Sequence, residues 1–148
     1  IPKRDWSSDV CSSDLRPAHT LNAWTVTNSD GSLKLVGGTP GANIQVQSNF
    51  QLITQVIDLG SNVQETCEAP RWQHLNGDSS AVETGVGTLQ IEARFGEEVI
   101  EGLRAKGHDV VVLPDYGHGS AVQLLEILPN GTMAWGSDVR VDGIAAGI

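Results

Sequence analysis

LKLVGGTPGANIQVQSNFQLITQVIDLG, residues 33–60, carries the change of hydrophobic period that decides the fold. Residues 33–36 are β-prone. Residues 37–42 (GGTPGA) hold three glycines and a proline, which break regular structure and allow backbone conformations denied to other side chains. Beyond them Val46, Phe50, Ile53 and Ile57, with Leu52, Val56 and Leu59, recur at spacings of three and four. That period predicts a largely buried helix over 44–59, ended by Gly60. Strand, tight loop and buried helix is therefore the expected order.

Upstream, residues 24–28 (WTVTN) and 33–36 flank Ser29, Asp30 and Gly31, the turn chemistry of a β-hairpin. Downstream, Asn62 and Glu65 have the spacing of a capping box, which predicts a short helix over 63–69 stopped by Pro70. Residues 71–75 leave it in extended form. Residues 76–88 are rich in Gly, Ser, Asp and Thr without apolar period and predict a surface loop before a strand at 89–93. A helix over 97–106 is marked by Glu97 and Glu98 in its first turn, Lys106 in its last, and Gly107 beyond. A strand at 109–113 follows. Strands at 121–128 and 132–135 are joined by Pro129, Asn130 and Gly131, the strongest hairpin signal in the chain. There is no internal repeat. The order predicts an α+β fold, with helices on one or both faces of a largely antiparallel sheet.

With 148 residues and 39% apolar content, the chain has material for one modest core. Its net charge of −9, without a basic stripe, argues against nucleic acid as a partner. No apolar run reaches the roughly 20 residues that cross a bilayer, so no membrane segment is expected. Residues 5–15 (DWSSDVCSSDL) lack any period, and their back-translation resembles a sequencing adapter read in frame. Residues 1–15 are accordingly expected to be an artefactual leader and 16–148 the domain proper. Cys67 is then the single cysteine, which leaves no disulfide, and its place on a helix predicts a small buried residue. His74, His108 and His118 lack ligand spacing, so no metal is expected. Residues 115–119 (DYGHG) read as packing or rim, and Asp138, Arg140 and Asp142 as a structural ion-pair network.

Several local words then occur in a specific order. They are Arg16-Pro17, Thr20-Leu21, the hairpin, Gly38-Thr39-Pro40-Gly41, and the helix ending Val56-Ile57-Asp58-Leu59-Gly60. Val63-Gln64-Glu65, Glu68-Ala69-Pro70-Arg71, Gly136-Ser137-Asp138, Arg140 and Asp142-Gly143 complete the series. The set resembles the C-terminal part of the small subunit of the gamma-glutamyltransferase family, over essentially everything after Leu15. The resemblance implies a piece of a four-layer αββα N-terminal-nucleophile hydrolase sandwich, contributing two inner strands and outer helices. It also implies a large subunit cut from the same precursor as partner, a gamma-glutamyl or related acyl-amide substrate, and no cofactor. The family's nucleophile is a threonine whose own amine serves as base. It lies upstream of the Arg-Pro motif, so no threonine of this chain is expected to take that role.

The family's two adjacent oxyanion glycines map onto Gly41 and Ala42, where backbone N–H groups would face a tetrahedral intermediate. Read from residues alone, the same loop is a strand-to-helix turn with an anion-friendly helix N-terminus. A backbone donor survives at Ala42 only where its φ is negative. The family's substrate-contacting serine pair maps onto His19 and Thr20. Thr20 keeps a hydroxyl, whereas His19 departs from the transferase pattern, fits the glutaryl and cephalosporin acylase branch better, and otherwise reads as an exposed loop histidine. Two alternatives stand beside the transferase: an acylase-like amidohydrolase of the same fold, and a non-catalytic relative.

Overall fold

The computed structural model describes residues 21–41, 44–76 and 87–144. Strands β1 (Leu21–Thr27) and β2 (Leu33–Pro40) form the expected hairpin. Its turn is closed by Gly31 N–H donating to Asn28 O and by the Asp30 carboxylate, which accepts from both Ser32 N–H and Oγ. β2 does not stop at Val36, as expected, but runs on through Gly37, Gly38 and Thr39. The reason is packing. Trp24 lies across the strand from Gly37, and a Cβ there would fall 2.3 Å from Trp24 Cζ2. The glycine makes room for a ring rather than a turn, and the turn is deferred to Gly41.

Helix α1 (Gln45–Ile57) follows, and α2 (Val63–Glu68) opens on the expected capping box. Asn62 Oδ1 accepts from Glu65 N–H at 2.9 Å while Glu65 Oε2 accepts from Asn62 N–H at 3.1 Å. α1 is not largely buried. Leu52 and Val56 face the core, but Val46 is 74% and Phe50 64% exposed. The part of its inner face nearest the end of β2 is polar: Thr39 Oγ1 donates to Asn49 Oδ1 at 2.9 Å, and Gln45 Nε2 to Thr39 O at 3.1 Å.

The remaining strands are β3 (Trp72–Asn76), β4 (Gly87–Glu92), β5 (Asp109–Leu113), β6 (Gln123–Ile127) and β7 (Met133–Ser137). β4 is joined to β5 through a 3-10 turn (Ala93–Phe95) and α3 (Glu97–Ala105). The sequence predicts one largely antiparallel sheet and an extended segment over 71–75; the molecule has two sheets, and the extended segment is a paired strand. The first, ordered β1-β2-β6-β7, is antiparallel throughout. The second, β3-β4-β5, is mixed, because the helical crossover returns β5 parallel to β4. Seven strands therefore belong to the described residues, one more than the six that the sequence predicts. The surface loop expected over 76–88 is bounded by β3 and β4, and residues 77–86 lie outside the described residues.

Leu35, Leu124, Leu52, Val56, Val63, Cys67 and Val122 form the core between the first sheet and helices α1 and α2. β7 approaches α2 very closely: a Cβ on Gly136 would fall 2.4 Å from Val63 O. The opposite face of that sheet carries Val36, Leu125, Ile127, Met133 and Trp135, which line an open groove of about 780 Å³. Both faces of the sheet are thus apolar, the pattern of a sheet with a layer on each side. Among the described residues no helix is long and apolar enough to cross a membrane.

Candidate functional site

At the junction of β2 and α1, Gly41 has a φ of +129°. That conformation is open to glycine and strained for other residues. A Cβ would also meet Ile44 Cγ1 at 2.8 Å. Gly41 O accepts from Ile44 N–H at 3.1 Å, folding the turn back under the start of α1, whose first turn carries no acidic residue. The N-terminus of a 13-residue helix and a left-handed glycine thus meet at one place, an arrangement suited to an anionic oxygen. Ala42, the second expected oxyanion donor, lies outside the described residues, as do His19 and Thr20.

Behind the turn lies a buried cluster of charge. Arg71 Nη1 stands 2.6 Å from Asp138 Oδ2 and donates to Ser120 O at 2.7 Å. Arg140 bridges the two carboxylates, with Nη1 3.0 Å from Asp138 Oδ1 and Nη2 2.7 Å from Glu92 Oε2. It also donates to the free carbonyls at the end of α2, Cys67 O at 3.1 Å and Ala69 O at 3.0 Å. Glu92 Oε1 accepts from His118 N–H at 3.1 Å. The Tyr116 ring lies under the Arg94 guanidinium, 3.9 Å away, with Arg140 at 5.4 Å.

Burial pushes Arg71 below its ordinary pKa, opposed by the Asp138 charge. Burial also works against the Arg140 charge, but the hydrogen bond to Glu92 and the charge of Asp138 outweigh it and hold that pKa up. His118 is pushed down to about 4, first by burial and then by the Arg71 charge. Burial and then Asp138 push the Cys67 thiol up to about 12, so it is no nucleophile. His118 and Ser120 are not a nucleophile–base pair either. His118 Nδ1 accepts from the Ser120 backbone N–H at 3.1 Å, while Ser120 Oγ donates to Pro40 O at 3.2 Å. Among the described residues no group of three metal-ligating side chains occurs.

The expected network of Asp138 and Arg140 exists, but Asp142 stands apart on the groove rim and Arg71 and Glu92 take its place. Glu92 left one signal in the sequence, a carboxylate inside an apolar strand run. Ser120 left none. Residues 115–119 divide: Tyr116 is half exposed over the cluster, whereas His118 is buried within it.

Two sheets flanked by helices, with a glycine turn entering the first helix, fit the N-terminal-nucleophile hydrolase fold of the solved structures that this chain resembles. The sequence model of the gamma-glutamyltranspeptidase family matches residues 7–148, and the chain belongs to that family. The match begins inside the 5–15 stretch. The chain is similar to the oxamate amidohydrolase proenzyme of Klebsiella pneumoniae subsp. pneumoniae, 36% identical over 138 residues, covering 89% of this chain and 24% of the relative. It is 33% identical over 137 residues to a glutathione hydrolase-like proenzyme of Bacillus subtilis, covering 90% of this chain and 25% of that protein. A crystal structure of a Helicobacter pylori gamma-glutamyltranspeptidase mutant superposes with a TM-score of 0.70 at 24% identity, over 88% of this chain and 66% of that one. The chain therefore spans about a quarter of the length of the curated relatives it matches.

Proposed function

We propose that residues 16–148 are the C-terminal part of the small subunit of a glutathione hydrolase-type precursor. Such a protein cleaves gamma-glutamyl amides through an acyl-threonine intermediate, with the threonine supplied by sequence upstream. The observation that carries this reading is Gly41: a left-handed glycine ahead of a helix N-terminus, where an oxyanion hole needs a preorganised N–H. Ala42 is the second donor, and Thr20 and His19 contact the substrate. The large subunit is the partner, and the apolar groove face of the first sheet supports a further layer against it.

A second reading, an amidohydrolase acting on other acyl amides, is favoured by the 36% identity to an oxamate amidohydrolase proenzyme. Expressing the complete precursor from the extended gene separates the two. Self-cleavage with release of a chromogenic anilide from its gamma-glutamyl conjugate supports the transferase reading. Self-cleavage without that release, but with turnover of other amides, favours the amidohydrolase. A precursor that never splits defeats both.

A further inference from the structure

Resting on the reading of Gly41 as an oxyanion donor, we infer that Ser120 is a positioning residue that sets the direction of the Gly41 N–H. The Pro40 carbonyl and the Gly41 N–H belong to one peptide unit, so they point in opposite directions within a rigid plane. Ser120 Oγ donates to Pro40 O at 3.2 Å. Holding the carbonyl side of the plane aims the N–H on the other side. Restraint is needed here because a glycine at φ +129° has no Cβ to limit rotation of the peptide before it. A hydrogen bond to the carbonyl also polarises the peptide and makes its N–H a better donor.

Ser120 is itself fixed at both its carbonyl and its N–H, and the histidine that holds the N–H is fixed in turn. Its carbonyl accepts from Arg71 Nη1 at 2.7 Å, its N–H donates to His118 Nδ1 at 3.1 Å, and His118 N–H donates to Glu92 Oε1 at 3.1 Å. With Ser120 buried, water is poorly placed to replace its hydroxyl. The charge cluster at the ends of α2, β4 and β7 thereby reaches the glycine turn through one side chain. Its rigidity, rather than any proton transfer, is what it contributes.

The test uses the complete precursor and Ser120→Ala, with Ser120→Thr as the conservative variant. Misaiming one oxyanion donor lowers kcat on a gamma-glutamyl anilide roughly ten-fold, below the effect of deleting a donor outright, and leaves KM unchanged. Ser120→Thr keeps the hydroxyl and restores most of the rate. A second readout is independent of activity. Pro40–Gly41 is the single Pro-Gly pair in this chain, so carbonyl-13C proline with 15N glycine marks that peptide by NMR, its peak assigned by loss in Pro40→Ala. The resonance is expected to move in Ser120→Ala and return in Ser120→Thr. An unmoved resonance overturns the inference whatever the activity. So does an unchanged kcat in an active precursor, or a kcat loss accompanied by a raised KM and a lowered Tm. An inactive wild-type precursor defeats the proposed function alone, and the resonance still decides the role of Ser120.

Discussion

Gln47 and His74 exchange two hydrogen bonds, side-chain Nε2 to backbone O at 2.9 Å and backbone N–H to Oε1 at 2.7 Å, and Gln51 repeats the pattern with Trp72 at 2.8 and 3.1 Å. Four residues of helix rise about 6 Å and two residues of strand about 6.6 Å, so the two glutamines of α1 match alternate residues of β3. The helix stands in for a neighbouring strand and covers an otherwise open sheet edge. Gln47→Ala together with Gln51→Ala is expected to cost about 1–3 kcal/mol, the range for stranding buried backbone groups. Hydrogen exchange at the Trp72 and His74 amides, accelerated ahead of the β4 amides, is the measurement that reads it.

The Arg71–Asp138 pair is almost wholly shielded, with side chains 2% and 0% exposed. Removing Asp138 leaves the buried Arg71 without its counterion, which typically costs about 3–5 kcal/mol, and removing Arg71 leaves the buried Asp138 with Arg140 alone. Asp138→Asn and Arg71→Met are therefore each expected to destabilise the precursor strongly. Their combination should cost less than the sum of the two, and chemical denaturation of the double-mutant cycle gives the coupling.

His118 binds a proton less readily in the fold, near pH 4, than in the unfolded chain, where its ordinary pKa is 6.5. Between those values the unfolded state holds more protons, so stability falls as pH is lowered from about 6.5 to 4 and is retained above that window. At its limit the effect is about 3 kcal/mol. The Tm of the wild type should drop through this window more steeply than that of His118→Gln. Parallel curves would remove His118 from the account.

Met133 and Trp135 stand exposed on the groove face of the first sheet. Separated from the rest of the precursor, residues 16–148 are expected to associate through this face, since apolar patches of that kind seek cover. Met133→Lys with Trp135→Lys should shift light scattering toward the monomer. A wild-type chain that is monodisperse at high concentration would count against the further layer.

The sequence is legible where the physics is local. The Asn62–Glu65 capping box, the turn between β6 and β7, and the acidic start of α3 each depend on a few neighbouring residues, and each lies where its pattern put it. The ordered motifs were likewise enough for the family. Two expectations failed because composition does not reveal partners. Gly37 and Gly38 read as a break, yet they continue a strand because Trp24 needs the space over Gly37. The apolar period of α1 read as burial, yet Val46 and Phe50 face outward and polar residues cap the end of β2.

The candidate site divides along the same line. Sequence alone determined the α+β class and the helix and turn positions, because turn chemistry and hydrophobic period act over a few residues, whereas the proposal of Gly41 rests on the resemblance to the family's motifs. Only the tertiary structure decided that β3 joins β4 and β5 in a separate sheet, and that Arg71, Glu92, Ser120 and Asp138 meet behind the glycine turn. Those four come from distant parts of the chain. They are drawn together because buried charges must find counterions and buried carbonyls must find donors, a demand that only the folded chain can meet.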